Sequence, residues 1–375
     1  MENKKILIVT SSYLFVNLFL LPHIKYLATN GWFVHVASAD DGSVIPFAHK
    51  QINIPISRSP FKADNIKAIK ALKEIIEKEN YNIIHCHTPI GAMVARLAAC
   101  KARKTLGTKV IYTAHGFHFY NGAPLKNWLL YYTAEKCLAP LTDAIITINN
   151  EDYEMAQRHL SGIRNQYKTS GIGYDLNHIG LLDKSQEEAV RKRHNINKND
   201  FVCLYVASMC DRKNHNFILK SIPNILTEIP HLKMIFLGDG EKLEENIRLT
   251  QQLGIAENVR FEGFQKNISD YLLMADIAIS ASKREGLPMN IIEEMYAGLA
   301  IVASEISGHT DLITNGQNGY LFTLGNSKEF VDKIIHLYNN PDKRAELGKN
   351  AQRNVSKYSV DNVIAQISRI YTMIL

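Results

Sequence analysis

The chain has 375 residues, 46% of them hydrophobic and 21% charged, with no low-complexity tract and no repeat of solenoid period. That excludes a disordered or repeat protein, and the length exceeds one ordinary core, so two domains are expected. The net charge of +6 is uneven: 20 basic against 12 acidic residues through Lys168, a net +8, and 23 against 25 beyond it, a net −2. A basic first half suits an anionic partner such as an acidic lipid surface, a phosphate-bearing acceptor or nucleic acid, and equally a plain solvated face.

The opening "MENKKILIVTSSYLFVNLFLLPH" places a basic pair before apolar residues, as an export signal would. Thr10-Ser11-Ser12 interrupts the run, and Leu14 to Leu21, with Asn17 inside it, is too short to span a bilayer. Lys5 to Thr10 reads instead as a first buried strand. The five cysteines (Cys86, Cys100, Cys137, Cys203, Cys210) are odd in number and form no C-x-x-C pair. They read as reduced thiols in the cytoplasm.

Strands are predicted at Ile6–Val9, Phe33–Ala37, Ile83–Cys86, Val110–Thr113 and Ala144–Ile148. These are bare Val- and Ile-rich runs, as in a parallel sheet buried on both faces. Helical patterns lie between them at Leu20–Thr29, Asn65–Glu79, Gly91–Arg103, Lys126–Leu138 and Asn150–Leu160. The rhythm lapses from about Ser161 to Asp200, where "SGIGYDLNH" is Gly-rich and "KSQEEAVRKRHNINKND" is charged. Strands resume at Phe201–Ala207, Lys233–Leu237, Val259–Glu262, Ile277–Ala281 and Ile301–Ala303, with helices at His215–Leu226, Glu241–Leu253, Ile268–Met274 and Pro288–Ala297. Helical segments follow "NGYLF" to the C-terminus. The expected architecture is α/β: two Rossmann-like, doubly wound parallel-sheet domains facing across a cleft, residues 1–170 and 171–375, with the last helix able to pack back on the first domain.

In "REGLPMNIIEEM", Arg284 to Met295, Glu285 and Glu293 stand eight positions apart. Pro288 suits a first helical turn, and Gly286 lets the backbone approach a ligand. The turn falls at the carboxyl end of a parallel strand, where open α/β sheets bind ligands, and the helix start suits a phosphate. A carboxylate accepting two adjacent hydroxyls is a normal sugar contact. Spacing alone leaves two readings open: ligand contacts, or a surface loop glutamate and a solvated helix face.

"EGLPMNIIEEMYAGLAIVAS" resembles the E-x7-E signature of the retaining glycosyltransferases of family 4, which have the GT-B fold. The first half resembles the EpsD-like and CapM-like exopolysaccharide and capsule branch. The stretches that carry this are "PISRSPF", "IIHCHTPIGAMVARLAA", "KVIYTAHGFHFYNGAPLKNWLLYYTAEK" and "TDAIITINNEDY". The resemblance implies that Glu285 contacts donor-sugar hydroxyls and that Glu293 takes the ribose. It also implies that the backbone of Gly286, Leu287, Pro288, Met289 and Asn290 holds the distal phosphate. His115 in "YTAHGFHF" matches a histidine that polarises the sugar or leaving phosphate, or positions the acceptor hydroxyl. Lys213 in "CDRKNHNF" matches the lysine that neutralises the donor diphosphate. Where many members of the family carry Gly-Arg, and this branch Gly-Glu, this chain has Ala207-Ser208, leaving Ser208 or Arg212 to replace the second diphosphate ligand.

His85, His87 and His118 raise a metal hypothesis with His115. No carboxylate or cysteine completes a set, and the resemblance implies no metal cofactor, the nucleotide sugar being a co-substrate. The first strand–helix turn lacks glycines and reads as a bulky loop shaping the acceptor site, with Asn17 and His118 as acceptor contacts. "GDGE" (Gly238 to Glu241), a lone G-x-G, reads as a plain turn, with donor contact as the alternative. "LKNWLLYYTAEK" and "CKARK" read as a surface resting on anionic membrane, against ordinary core packing of a helix.

The resulting expectation is transfer of a hexosyl or N-acetylhexosaminyl group from a UDP-sugar to a polyprenyl-diphosphate-linked saccharide. The expected place is the cytoplasmic face of the cell membrane, during exopolysaccharide or capsule assembly. The alternatives are a sugar-nucleotide epimerase of related fold and a degenerate, non-catalytic sugar-nucleotide binder. No motif supports nucleic-acid binding.

Overall fold

The computed structural model describes residues 4–57, 59–120, 122–180 and 182–375. Arg58, Asn121 and Leu181, within stretches discussed above, lie outside the described residues. The chain divides into two compact units, Met1–Tyr174 with Val360–Leu375, and Asp175–Ser359.

In the first unit the strands are β1 (Lys5–Val9), β2 (Phe33–Ser38), β3 (Lys50–Asn53), β4 (Ile83–His87), β5 (Lys109–Ala114), β6 (Ala144–Thr147) and β7 (Asn165–Lys168). They pair in parallel in the order β3-β2-β1-β4-β5-β6-β7. Alternate residues feed opposite faces, the two-residue period of a strand. Leu7, Val9, Ile84, Cys86 and Tyr112 enter one core. Ile6, Ile8, Ile83 and Ile111 enter the other, closed by Val363, Ile367, Ile370 and Tyr371 of the last helix, Val360–Ile374.

The second unit holds β8 (Phe201–Val206), β9 (Leu232–Leu237), β10 (Val259–Phe261), β11 (Ile277–Ser280), β12 (Ala300–Ser304) and β13 (Tyr320–Phe322). Their order is β10-β9-β8-β11-β12-β13. In each sheet the chain leaves two adjacent strands in opposite directions, β1 and β4 in the first and β8 and β11 in the second. Such a switch point opens a crevice at the carboxyl edge.

The buried Val- and Ile-rich strands stand within a residue or two of their expected bounds. β3, β7 and β13 were not expected as strands. β3 ("KQIN") and β7 ("NQYK") are sheet edges with exposed polar residues, and β13 is a three-residue edge. An edge strand need not be apolar on both faces, so it leaves no bare hydrophobic run. The bulky loop expected after β1 is a correction: Tyr13–Phe19 is helical, with Tyr13 and Val16 buried at a helical interval, and Asn17 lies on that helix. Pro288 is also corrected. It is the cap residue of the helix Met289–Tyr296, in extended conformation, one position before the first turn.

The helix Pro89–Ala98 after β4 carries Arg96, whose guanidinium is fully buried and forms a fork with Glu135 at 2.7 and 3.2 Å. Burial works against the Arg96 charge, but the Glu135 carboxylate outweighs it and holds the guanidinium's pKa above its ordinary value. Removing one partner strands the other charge in the core, at a cost of about 3–5 kcal/mol. Arg96→Met should therefore lower the unfolding free energy of the first unit by that order, seen as a lower urea midpoint. Both tryptophans, Trp32 and Trp128, lie in this unit, so their fluorescence reports it. An unchanged midpoint would show that the pair is not structural.

Candidate active site

In the second unit, β8 and β11 end side by side, so the turn Asp211–Lys213 and the loop Lys283–Pro288 meet at one edge. Two hydrogen bonds stitch them: the Lys283 amide donates to the Arg212 carbonyl (2.8 Å), and the Asn214 side chain donates through Nδ2 to Ala281 O (3.2 Å). Tyr205, buried in β8, donates its hydroxyl to the Lys213 carbonyl (2.8 Å) and fixes the turn from below. The result is a carboxylate between two cations. Lys213 Nζ lies 2.6 Å from Glu285 Oε1 and Arg212 Nη1 2.8 Å from Glu285 Oε2. The Glu285 and Lys213 side chains are only 8% and 11% exposed, while Arg212 is half exposed. Burial raises the Glu285 pKa, but the Lys213 ammonium and its hydrogen bond outweigh burial and hold it below the ordinary carboxylate value. Glu285 is thus not a bare loop residue.

Helix Met289–Tyr296 begins directly after this cluster, and its first amides have no partner within the helix. Glu293 and Glu294 are both buried on it, which corrects the solvated-face reading of either residue. Burial, with the Glu293 carboxylate beside it, pushes the Glu294 carboxyl well above its usual range. It accepts from Asn290 Nδ2 at 3.3 Å. Ser208 is exposed, with its hydroxyl 3.7 Å from Cys210 Sγ. Arg212, rather than Ser208, stands on the Glu285 cluster.

The sequence reading missed the "SGHTD" loop after β12. Gly308 has φ 34°, and a Cβ there would stand 2.9 Å from Glu285 Cβ and 2.9 Å from the Gly286 carbonyl oxygen. His309 is fully buried, bonded to Ser304 and within 3.2 Å of Ser280 Oγ. Burial lowers its pKa to about 4, so it is neutral. Its position after an adjacent strand was the available signal. "GDGE" is more than a plain turn: Cβ atoms on Gly238 and Gly240 would meet the Ala207 and Met209 carbonyls at 2.3 and 2.5 Å. These glycines let the turn lie against the loop bearing Ser208.

In the first unit, His85, His87 and His115 lie on or directly after β4 and β5. His87 Nδ1 is 3.0 Å from His115 Nε2, and His85 bonds Tyr371 Oη (2.6 Å) and Thr113 Oγ1 (2.7 Å). His118 is exposed, stacked on Tyr131. Asn17 donates to the Val44 carbonyl at 3.2 Å. Among the described residues no three His, Cys, Asp or Glu side chains converge as a metal-ligand set. Trp128, Tyr131 and Tyr132 of "LKNWLLYYTAEK" pack against the core, and Leu125, Leu129 and Leu130 are its exposed large apolar residues. Among the described residues no helix is long and apolar enough to cross a membrane.

Two parallel-sheet units, with a cation–carboxylate cluster at a helix start on one and a histidine row on the other, form a GT-B architecture. The comparisons agree. The family described as Glycosyl transferases group 1 matches residues 186–354, and Glycosyl transferase 4-like matches residues 5–149. EpsD of Bacillus subtilis (strain 168), which carries the name of a glycosyltransferase, is 37% identical over 98% of this chain and 96% of its own. The UDP-Gal:alpha-D-GlcNAc-diphosphoundecaprenol alpha-1,3-galactosyltransferase of Escherichia coli is 24% identical over 73% of this chain and 70% of its own. A crystal structure of Anabaena HepE in complex with UDP and glucose has a TM-score of 0.78 at 19% identity, covering 99% of this chain and all of that one. The chain belongs to the group 1, family 4-like glycosyltransferases and has the GT-B fold.

The histidine row generates a pH prediction. Burial lowers His85 to about 3 and His115 to about 4, with neighbouring histidines adding to both, and burial also lowers His23. The native state therefore binds fewer protons than the unfolded chain below pH 6.5. Their contribution is complete above pH 6.5 and is lost as pH falls toward 4, by at most about 1.4 kcal/mol per pH unit for each group. Tryptophan-monitored urea midpoints should fall between pH 6.5 and 5, less steeply in His115→Gln. A flat wild-type profile would refute the neutral row. Glu294, in the other unit, acts oppositely, since a raised carboxyl loses stability as pH rises.

Proposed function

We propose that the protein transfers a hexosyl or N-acetylhexosaminyl group from a UDP-sugar to a hydroxyl of a polyprenyl-diphosphate-linked saccharide, with retention. The step would belong to exopolysaccharide or capsule assembly at the inner face of the cell membrane. The observation that carries the donor side is the pair of cations, Arg212 and Lys213, held on Glu285 at the start of the helix Met289–Tyr296. Cations and helix amides suit a diphosphate, whose charge grows as the bond to the sugar breaks.

In this reading Glu285 takes donor-sugar hydroxyls, Glu293 the ribose, and the amides from Gly286 to Asn290 the distal phosphate. A donor must draw Lys213 and Arg212 from Glu285, so binding is an exchange of anions at two fixed cations. His115, neutral near pH 7, acts by hydrogen bonding rather than as a charge. The bond from the anomeric carbon to phosphate breaks, the acceptor oxygen forms the new bond on the same face, and its proton passes to the departing phosphate. No separate general base and no resident metal are invoked. The E. coli relative's lipid-diphosphate acceptor and the exposed Leu125, Leu129, Lys126 and Lys136 support the membrane side.

UDP at a hundred times its Kd should stabilise the folded protein by about 2.7 kcal/mol by mass action. In a thermal-shift series UDP should raise Tm where GDP and ADP do not, and Glu293→Ala should abolish the rise. Equal shifts from all three nucleotides would sink the uridine assignment, and an inverted product anomer would sink retention. Gly308→Ala, which pushes on Glu285 and Gly286, should cut kcat/KM by about 10- to 100-fold, equivalent to about 1.4–2.7 kcal/mol. Wild-type turnover in that variant would remove Glu285 from the site.

A further inference from the structure

The histidine row of the first unit borders a cavity of about 20 Å³, whose polar lining is His23, His85, His87, Thr113, Thr169 and Tyr371. That is room for one water, and a buried water is retained where two to four polar partners surround it. The hydrogens on the lining can be counted. Burial lowers the pKa of all three imidazoles, so each ring is neutral near pH 7 and carries a single N–H.

His23 Nε2 lies 2.6 Å from the Ile172 carbonyl, which can only accept, so the ring hydrogen sits on Nε2 and Nδ1 is bare. His85 is bonded at both nitrogens, to Tyr371 Oη and to Thr113 Oγ1. Those three side chains hold three hydrogens and share two bonds, so one hydroxyl hydrogen, on Thr113 or Tyr371, is left over. His87 Nδ1 is 3.0 Å from His115 Nε2, and only one of these two nitrogens can carry the hydrogen between them. With His87 Nδ1–H as the donor, His87 Nε2 is bare. One water then accepts the surplus hydroxyl hydrogen and gives its own two to the bare nitrogens of His23 and His87, so every group in the set is matched. The opposite tautomer would aim a second hydrogen at that water and leave it one ring nitrogen to donate to. The first arrangement also fixes His115: its Nε2 accepts, so its single hydrogen is on Nδ1, the ring nitrogen left for a ligand. The ring is held in this pose by Phe15, edge-on at 5.0 Å between centroids, and by His87 at 5.3 Å. His87 is 4% exposed and His115 half-buried, so the pair runs from the interior toward the surface.

We propose that His87 is a positioning residue: donating from Nδ1, with a water in the cavity behind it, it fixes His115 as an Nδ1–H donor to the reacting group. The inference rests on the role proposed above for His115. That role asks for a donor, because a phosphate oxygen that gains charge as its bond to the sugar breaks can only accept. The other tautomer would present a lone pair to the same oxygen and repel it.

Long-range proton–nitrogen NMR of the full chain, carrying isotope-labelled histidine, reads the tautomer of each ring at pH 7 without any substitution. His87 and His115 should both carry the hydrogen on Nδ1, and a His115 with its hydrogen on Nε2 would overturn the proposal. His87→Asn keeps an N–H donor near the Nδ1 position and should preserve the His115 tautomer and most of kcat. His87→Leu offers no donor and should cost about tenfold in kcat. His87→Asp can only accept, so it should move the His115 hydrogen to Nε2 and cut kcat about 100-fold, the scale of one lost transition-state donor. UDP affinity should be unchanged in all three. Should the buried aspartate prevent folding, the Asn and Leu variants carry the comparison. A His87 that only supports the fold would leave the His115 tautomer unmoved and let kcat follow melting temperature across the variants, and that result would overturn the proposal. If the tautomers behave as stated but His115→Ala leaves transfer intact, the pairing stands and the catalytic reading of His115 falls. If His115→Ala abolishes transfer while His87→Leu changes neither tautomer nor kcat, the catalytic reading stands and the positioning role falls.

Discussion

Lys213 and Glu285, 72 positions apart in sequence, meet at 2.6 Å with almost no solvent around either side chain. Charges so buried must be paired, because an isolated one would cost several kcal/mol. The pairing therefore constrains everything near it. β8 and β11 must end level, Tyr205 must hold the Lys213 carbonyl, and residue 308 must have no side chain so that Glu285 and Gly286 can pass. Arg212 adds a second cation from the half-exposed side. The cluster is satisfied within itself, yet every member faces an edge where the sheet order reverses. An anion entering there finds cations already oriented, and the reorganisation it demands is confined to one carboxylate.

The first unit solves a different problem, that of placing several imidazoles in a dry environment without charging them. His85 is held from two directions, by Thr113 on the adjacent strand and by Tyr371 on the last helix. That helix comes from the far end of the chain, so the C-terminal residues take part in shaping the histidine row. His87 and His115 share one hydrogen bond, which can hold only one proton between the two nitrogens. Phe15 stands edge-on to His115 and also lines a groove after β1 and β4.

Much of this was legible before any coordinates. The central strands are long buried runs of Val and Ile, and burial on both faces writes itself into sequence as an unbroken apolar string. The edge strands β3 and β7 are largely exposed and β13 is only three residues long, so their pairing is a property of the neighbour, not of the residues. Glu285, Lys213 and His115 each follow a predicted strand, but their roles were implied by the family resemblance and not by that position. Gly308 and His309 occupy the same kind of position, after β12, but their role lies in which side chain they permit or support.

The sequence alone determined the alternation of strand and helix, the reversal of charge between the halves and the E-x7-E spacing, since each depends on residues near one another in the chain. Only the tertiary structure decided that Glu285 is held by Arg212 and Lys213 and that the Glu294 carboxyl is buried, with its pKa pushed up. It alone decided that Tyr371 reaches His85 and that the residues after β1 and β4 enclose a groove. Those outcomes depend on which strand lies beside which and on how much water is left between them. Neither quantity is carried by any short stretch of residues.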